Sequence, residues 1–95
     1  MFQDTLQVRR LDGYSVTDLP AFKSEFSSGM DICANFLKRN KKKEIIIPSS
    51  GRKMISTGLA IELPNNCEGQ IRSRSGLAID YGLMVLNSPG TIDQD

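Results

Sequence analysis

Asp31, Arg74 and Asp93 are the side chains best suited by type and setting to act on a charged substrate. The chain contains no histidine, and Cys33 and Cys67 are its only two thiols. Ser-His and Cys-His nucleophile arrangements are therefore excluded, and acid–base work falls to carboxylates. Asp31 lies in Ser28-Gly29-Met30-Asp31-Ile32-Cys33-Ala34, a largely apolar, strand-like setting. An unpaired carboxylate there is costly to bury, so it needs a partner such as a hydrated Mg²⁺ or a hydrogen-bond cluster. Capping a turn or bonding backbone amides would serve equally well. Arg72-Ser73-Arg74-Ser75-Gly76-Leu77-Ala78 combines guanidinium, hydroxyl and a glycine that exposes backbone N–H groups. These are the parts of a phosphate cradle, although the spacing is not that of a Walker loop. The same residues also describe an ordinary strand-to-turn junction. In Asn87-Ser88-Pro89-Gly90-Thr91-Ile92-Asp93-Gln94-Asp95, Pro-Gly followed by Thr-Ile reads as a hairpin whose return strand has begun. A hairpin offers alternating backbone donors and acceptors to a base edge, and Asp93 could project a carboxylate toward a water. A solvated strand-end charge is the plainer alternative.

The elements that must position these residues read mainly as strands. Leu6 and Val8 alternate with polar neighbours, and Glu44-Ile45-Ile46-Ile47 is a β-branched run closed by Pro48. From Lys53 to Leu63, the residues Ile55, Thr57, Leu59, Ile61 and Leu63 share one face with period two. That stretch ends at Pro64 and the turn-forming Asn65-Asn66. Gln70 to Arg74 suggests another strand, and Leu83 to Leu86 a buried apolar run before the turn Asn87-Ser88-Pro89-Gly90. Helical signals are confined to Asp18–Phe26 and Ser75–Tyr81. Short strands punctuated by Gly, Pro and Asn predict an all-β sandwich or barrel in a single domain over residues 1–95.

Composition narrows the function classes. The chain is 39% hydrophobic and 24% charged with a formal net charge of +1, which argues against a coat for nucleic acid or anionic membrane. No apolar run reaches membrane-spanning length, and Met1–Arg10 lacks the apolar stretch of a signal peptide. A cytoplasmic protein without membrane or nucleic-acid partners is expected, with both cysteines reduced and half-buried. Zinc spacings are absent. The one charge run, Lys38-Arg39-Asn40-Lys41-Lys42-Lys43, reads as a solvated loop between strands. As a nucleic-acid patch it lacks interleaved aromatics, the nearest being Phe36.

Taken in order and spacing, Gly-Met-Asp-Ile, Arg-Ser-Gly-Leu-Ala and Asn-Ser-Pro-Gly-Thr-Ile-Asp-Gln-Asp resemble the first three of the five motifs of the trimeric dUTPase family. Ile47-Pro48 and Thr57-Gly58-Leu59-Ala60-Ile61 with Pro64 are similar to its inter-motif pattern, so the resemblance runs from about Ser27 to Asp95. It implies a jelly-roll-like β-barrel, a homotrimer with shared active sites, and hydrolysis of dUTP to dUMP and pyrophosphate with Mg²⁺. That activity supplies dUMP for thymidylate synthesis and keeps uracil out of DNA. By the same resemblance, Asp31 holds waters of the Mg²⁺ ion. Arg74, Ser75 and the Gly76 amide bind phosphate oxygens. Asn87, with Gly90, Thr91, Ile92 and Asp93, lines the uracil and deoxyribose pocket, and Asp93 is the general base.

Departures within the motifs are small: Ser28 stands where alanine is usual, Ile32 where leucine is common, and Ser73 where proline or glycine is frequent. The chain carries the N-terminal two thirds of the family domain. It lacks the tyrosine that follows the third motif, the fourth motif and the glycine-rich fifth. Little activity is expected of the 95 residues alone, because a closing lid aligns phosphates and expels water. Two alternatives remain at this level. dCTP deaminase shares the fold but needs a different second motif. A non-catalytic β-barrel binding module would leave the spacing of Asp31, Arg74 and Asp93 unexplained.

Overall fold

A computed structural model describes residues 5–16 and 18–95. The part of the Met1–Arg10 leader reading that falls on residues 1–4 lies outside the described residues. The regular elements are β1 (Gln7–Arg10), β2 (Leu59–Glu62), β3 (Gly69–Ile71), α1 (Ser75–Tyr81) and β4 (Gly90–Ile92). The strands form two separate two-stranded sheets, β1–β2 and β3–β4. The expected β character is present, whereas a closed barrel is not formed by the described residues. The chain divides into two compact units, Val8–Ala60 and Met1–Gln7 with Ile61–Asp95.

In the Val8–Ala60 unit, three segments are tied by backbone bonds around one side chain. Ser15 N–H donates to Phe36 O, Lys38 N–H to Gly13 O, Asn35 N–H to Ser56 O and Leu11 N–H to Gly58 O, each at 2.8 Å. Asn35 is buried, 6% exposed, and both ends of its amide are used. Nδ2 donates to Ser15 O at 2.9 Å, and Oδ1 accepts from Phe36 N–H at 2.7 Å. A buried amide must be satisfied in this way, because an unmade bond there costs about 1–3 kcal/mol. Gly58 crosses beside it with φ of 69°, and a Cβ there would stand 2.7 Å from Asn35 Nδ2. The Lys38–Lys43 run forms an exposed turn organised by Asn40. Its Oδ1 accepts from Lys43 N–H at 3.0 Å, and its Nδ2 donates to Glu44 O at 3.0 Å.

Several expected elements are absent or shorter. Ile45–Ile47 is not a strand and all three residues are exposed. β-branched propensity needs a ladder partner, and none is supplied among the described residues. The Lys53–Leu63 alternation survives only as β2. Asp18–Phe26 forms no helix; Ser27 N–H bonds Ser24 O and the two serine hydroxyls meet at 2.8 Å, a local alternative to helical bonding. Cys67 is half-buried as expected, but Cys33 is exposed; both are free thiols. No helix among the described residues is long and apolar enough to cross a membrane. None of the described hydrophobic side chains is fully buried, and Phe26 and Met54 are 90% and 100% exposed.

The Asn35–Gly58 crossing generates a prediction. Gly58→Ala should destabilise the protein by about 2 kcal/mol or more, combining a left-handed backbone with overpacking. The urea unfolding midpoint measures it.

Candidate functional site

The candidate residues of the Ile61–Asp95 unit are organised by one antiparallel ladder. β3 and β4 pair Gly69 with Ile92, Gln70 with Thr91 and Ile71 with Gly90. The sequence suggested that the Pro89-Gly90 turn folds the chain back on Leu83–Leu86. Instead, β4 pairs with β3, and Leu83, Met84 and Leu86 are exposed at 46%, 69% and 66%. The ladder therefore sets the arginine segment, which continues from Ile71, beside the turn that precedes Gly90.

That junction is pinned twice by Ser73. Its Oγ accepts from Val85 N–H at 2.9 Å, and its N–H donates to Ser88 Oγ at 3.3 Å. The turn it holds is closed by Ser88 N–H donating to Val85 O at 3.1 Å, and the Ser88–Pro89 peptide within this stretch is cis. Asn87 rides on this turn, exposed, with its amide against Gly90. A Cβ at Gly90 would stand 3.3 Å from Asn87 Nδ2 and 3.7 Å from Ile71 Cβ. Glycine thus permits the close approach of Asn87 to the ladder.

After Ser73 the chain enters α1. Arg74 is the extended N-cap residue, with φ −86° and ψ 128°, and Ser75 and Gly76 form the first helical turn. The first N–H groups of a helix have no intrahelical acceptor and suit an anionic ligand. Gly76 does not have positive φ, and a Cβ placed there meets nothing within 4 Å. The fold of the chain thus makes no demand for glycine at this position. α1 ends at left-handed Gly82, φ 66°, whose N–H donates to Ala78 O while Leu83 N–H reaches Leu77 O. The other guanidinium of the segment is engaged along the outer face of β3. Arg72 Nη2 donates to Gln70 Oε1 at 2.6 Å, and Gln70 Nε2 to Glu68 Oε1 at 3.3 Å.

Asp93 follows Ile92 at the opposite end of the ladder and is exposed. From Gly90 to Asp93 an extended chain advances roughly 10 Å. The Ser73 contacts set the start of the Arg74-Ser75-Gly76 segment beside the turn that carries Asn87 and leads to Gly90, and Asp93 lies past the other end of β4, with Thr91 and Ile92 between. Asp31 belongs to the Val8–Ala60 unit, where it is half-buried within an irregular segment. No group of three or more His, Cys, Asp or Glu side chains suited to a metal occurs among the described residues.

Sequence reasoning missed Ser73, whose only signal was its departure from proline or glycine, and Ser88, which it took as a turn former. A proline at 73 has neither N–H nor hydroxyl and would lose both pins, whereas only the Oγ pin depends on the serine side chain. Ser73→Ala is expected to cost about 1 kcal/mol and to speed amide exchange at Val85. Ser73→Thr, which keeps the hydroxyl, should retain that protection.

The sequence model of the dUTPase family matches residues 16–95. Among curated proteins, the chain is 48% identical over 90 residues to the deoxyuridine 5'-triphosphate nucleotidohydrolase of Thermoanaerobacter sp. (strain X514). It is 46% identical over 90 residues to that of Caldanaerobacter subterraneus subsp. tengcongensis, and 43% identical over 90 residues to that of Rickettsia typhi. Each match covers 95% of this chain and 57% of the relative's length.

Proposed function

The chain belongs to the dUTPase family, and on that premise we propose that its function is hydrolysis of dUTP to dUMP and pyrophosphate. The reaction serves dUMP supply and the exclusion of uracil from DNA, in a cytoplasmic protein without nucleic-acid or membrane partners. The observation that carries this reading is the double pin at Ser73. It joins the segment suited to phosphate, Arg74-Ser75-Gly76, to the turn suited to a nucleoside, Asn87 to Gly90, as a single-nucleotide ligand requires.

In the proposed mechanism, Arg74 gives forked, charge-assisted bonds to phosphate oxygens, and Ser75 with the Gly76 amide completes the cradle. Asn87 and the backbone of Gly90, Thr91 and Ile92 take the uracil and deoxyribose. Asp93 accepts a proton from water as the water oxygen bonds to the α-phosphorus. The bridging bond between the α- and β-phosphates breaks, and pyrophosphate departs with the electron pair. Asp31 is a hard oxygen donor of the kind Mg²⁺ takes, and Mg²⁺ commonly keeps its waters with one or two carboxylates plus substrate phosphates. The donor set therefore fits, with Asp31 holding metal-bound waters. When bound, the ion offsets charge on the triphosphate and leaving group.

A jelly-roll-like barrel assembled as a homotrimer with shared sites, as the family resemblance implies, is part of this proposal. Apolar side chains such as Phe26, Met54 and Ile79, 90%, 100% and 81% exposed, suit burial against further copies or chain.

The direct test is pyrophosphate release from dUTP by the intact protein. Asp93→Asn should lower kcat by about 10³-fold or more, with binding of a non-hydrolysable dUTP analogue little changed; a near-normal kcat would remove Asp93 as base. Gly76→Ala separates ligand from fold. It should leave stability equal or higher, by up to about 1 kcal/mol of helix propensity, while turnover drops at least ~10-fold. Equal turnover would take Gly76 out of the cradle.

A further inference from the structure

We propose that Gln94 is a positioning residue for the Asp93 carboxylate, holding it through a two-bond clasp on the Asn65–Asn66 turn. The proposal rests on the reading of Asp93 as the base. The last ladder pair is Gly69 with Ile92, so Asp93 and Gln94 lie beyond the strand bonding that fixes β4. Backbone past a final ladder pair opens easily, and a base must stay within about 2.6–3.2 Å of the proton it removes.

Gln94 anchors this segment. Its Oε1 accepts from Asn66 N–H at 3.0 Å, and its Nε2 donates to Asn65 Oδ1 at 2.9 Å. Both ends of the amide are used, and the opposite amide orientation would set donor against the Asn66 N–H and acceptor against the Asn65 carbonyl oxygen. The turn is shaped to receive it: Asn66 adopts φ of 61°, a left-handed conformation that asparagine tolerates. Asp93 is thereby held between two attached neighbours, Ile92 on the ladder and Gln94 on the turn. Ile92 is half-buried and lies directly across the ladder from Gly69, where a Cβ would stand 3.3 Å from Ile92 Cβ. Misplacing a reacting group by about 1 Å can lower a rate by the order of 10²-fold, so a polar clasp at the surface has leverage well above its effect on folding.

Steady-state kinetics of the intact protein on dUTP, with amide exchange at Asn66, test this. Gln94→Ala should lower kcat about tenfold with KM within twofold, and expose the Asn66 N–H to rapid exchange. Asn65→Ala removes one of the two bonds and should give a smaller fall. The double variant should be no slower than Gln94→Ala, because both substitutions break one clasp. A merely structural role would move the unfolding midpoint and KM together with kcat. The proposal is overturned if Gln94→Ala retains kcat within twofold of an active wild type, or if Asn66 stays protected in that variant. A wild-type protein that leaves dUTP intact instead removes the functional reading itself, so the two failures are distinguishable.

Discussion

The antiparallel pairing of β3 with β4 is the constraint on which the candidate site depends. It is a short ladder, three residue pairs long, and by itself would hold little beyond its own backbone. Its effect is extended by side chains at each end. At the Ile71–Gly90 end, Ser73 fastens the entry to α1 against the Val85–Ser88 turn. At the Gly69–Ile92 end, Gln94 fastens the chain after β4 to Asn65 and Asn66. The ends of the ladder are thus held by hydrogen bonds whose donors and acceptors each have one geometry to satisfy, in a unit without a fully buried apolar side chain among the described residues.

The two units solve the problem of order differently. In Val8–Ala60, the buried amide of Asn35 gathers three segments that carry almost no regular structure. A polar side chain at the centre of a cluster is directional where an apolar one is not. In Ile61–Asp95, the strands and a seven-residue helix supply the frame. A helix of two turns is marginal alone, which makes the Gly82 cap and the Ser73 contacts before it important to the orientation of Ser75 and Gly76.

Some of the local structure around the candidate site was legible in the sequence. The short Ser75–Tyr81 helix was only weakly signalled and is present, and the Asn65-Asn66 turn was marked by two asparagines after a proline. Arg74 and Gly76 stood out by residue type, and Asn87 through the family resemblance alone. Pairing was not legible: alternation tells which side chains share a face, not which strand lies alongside, so β4 was assigned to Leu83–Leu86 rather than to β3. Ile45–Ile47 was read as a strand from propensity alone, and propensity cannot provide the neighbour that a strand needs. Ser73 and Gln94 were invisible as anchors because serine and glutamine are common on surfaces and act here through partners 12 to 29 residues away.

The nearness in sequence of β3 and β4 has a kinetic meaning. Ile71 and Gly90 are joined by a connection of about 18 residues, and closing such a loop carries a length-dependent entropy of roughly 2.6 kcal/mol. α1 lies inside it and shortens the flexible span. Contacts this local form early and fast, so the part of the chain that carries the β3–β4 ladder is built to assemble before distant segments need to find one another.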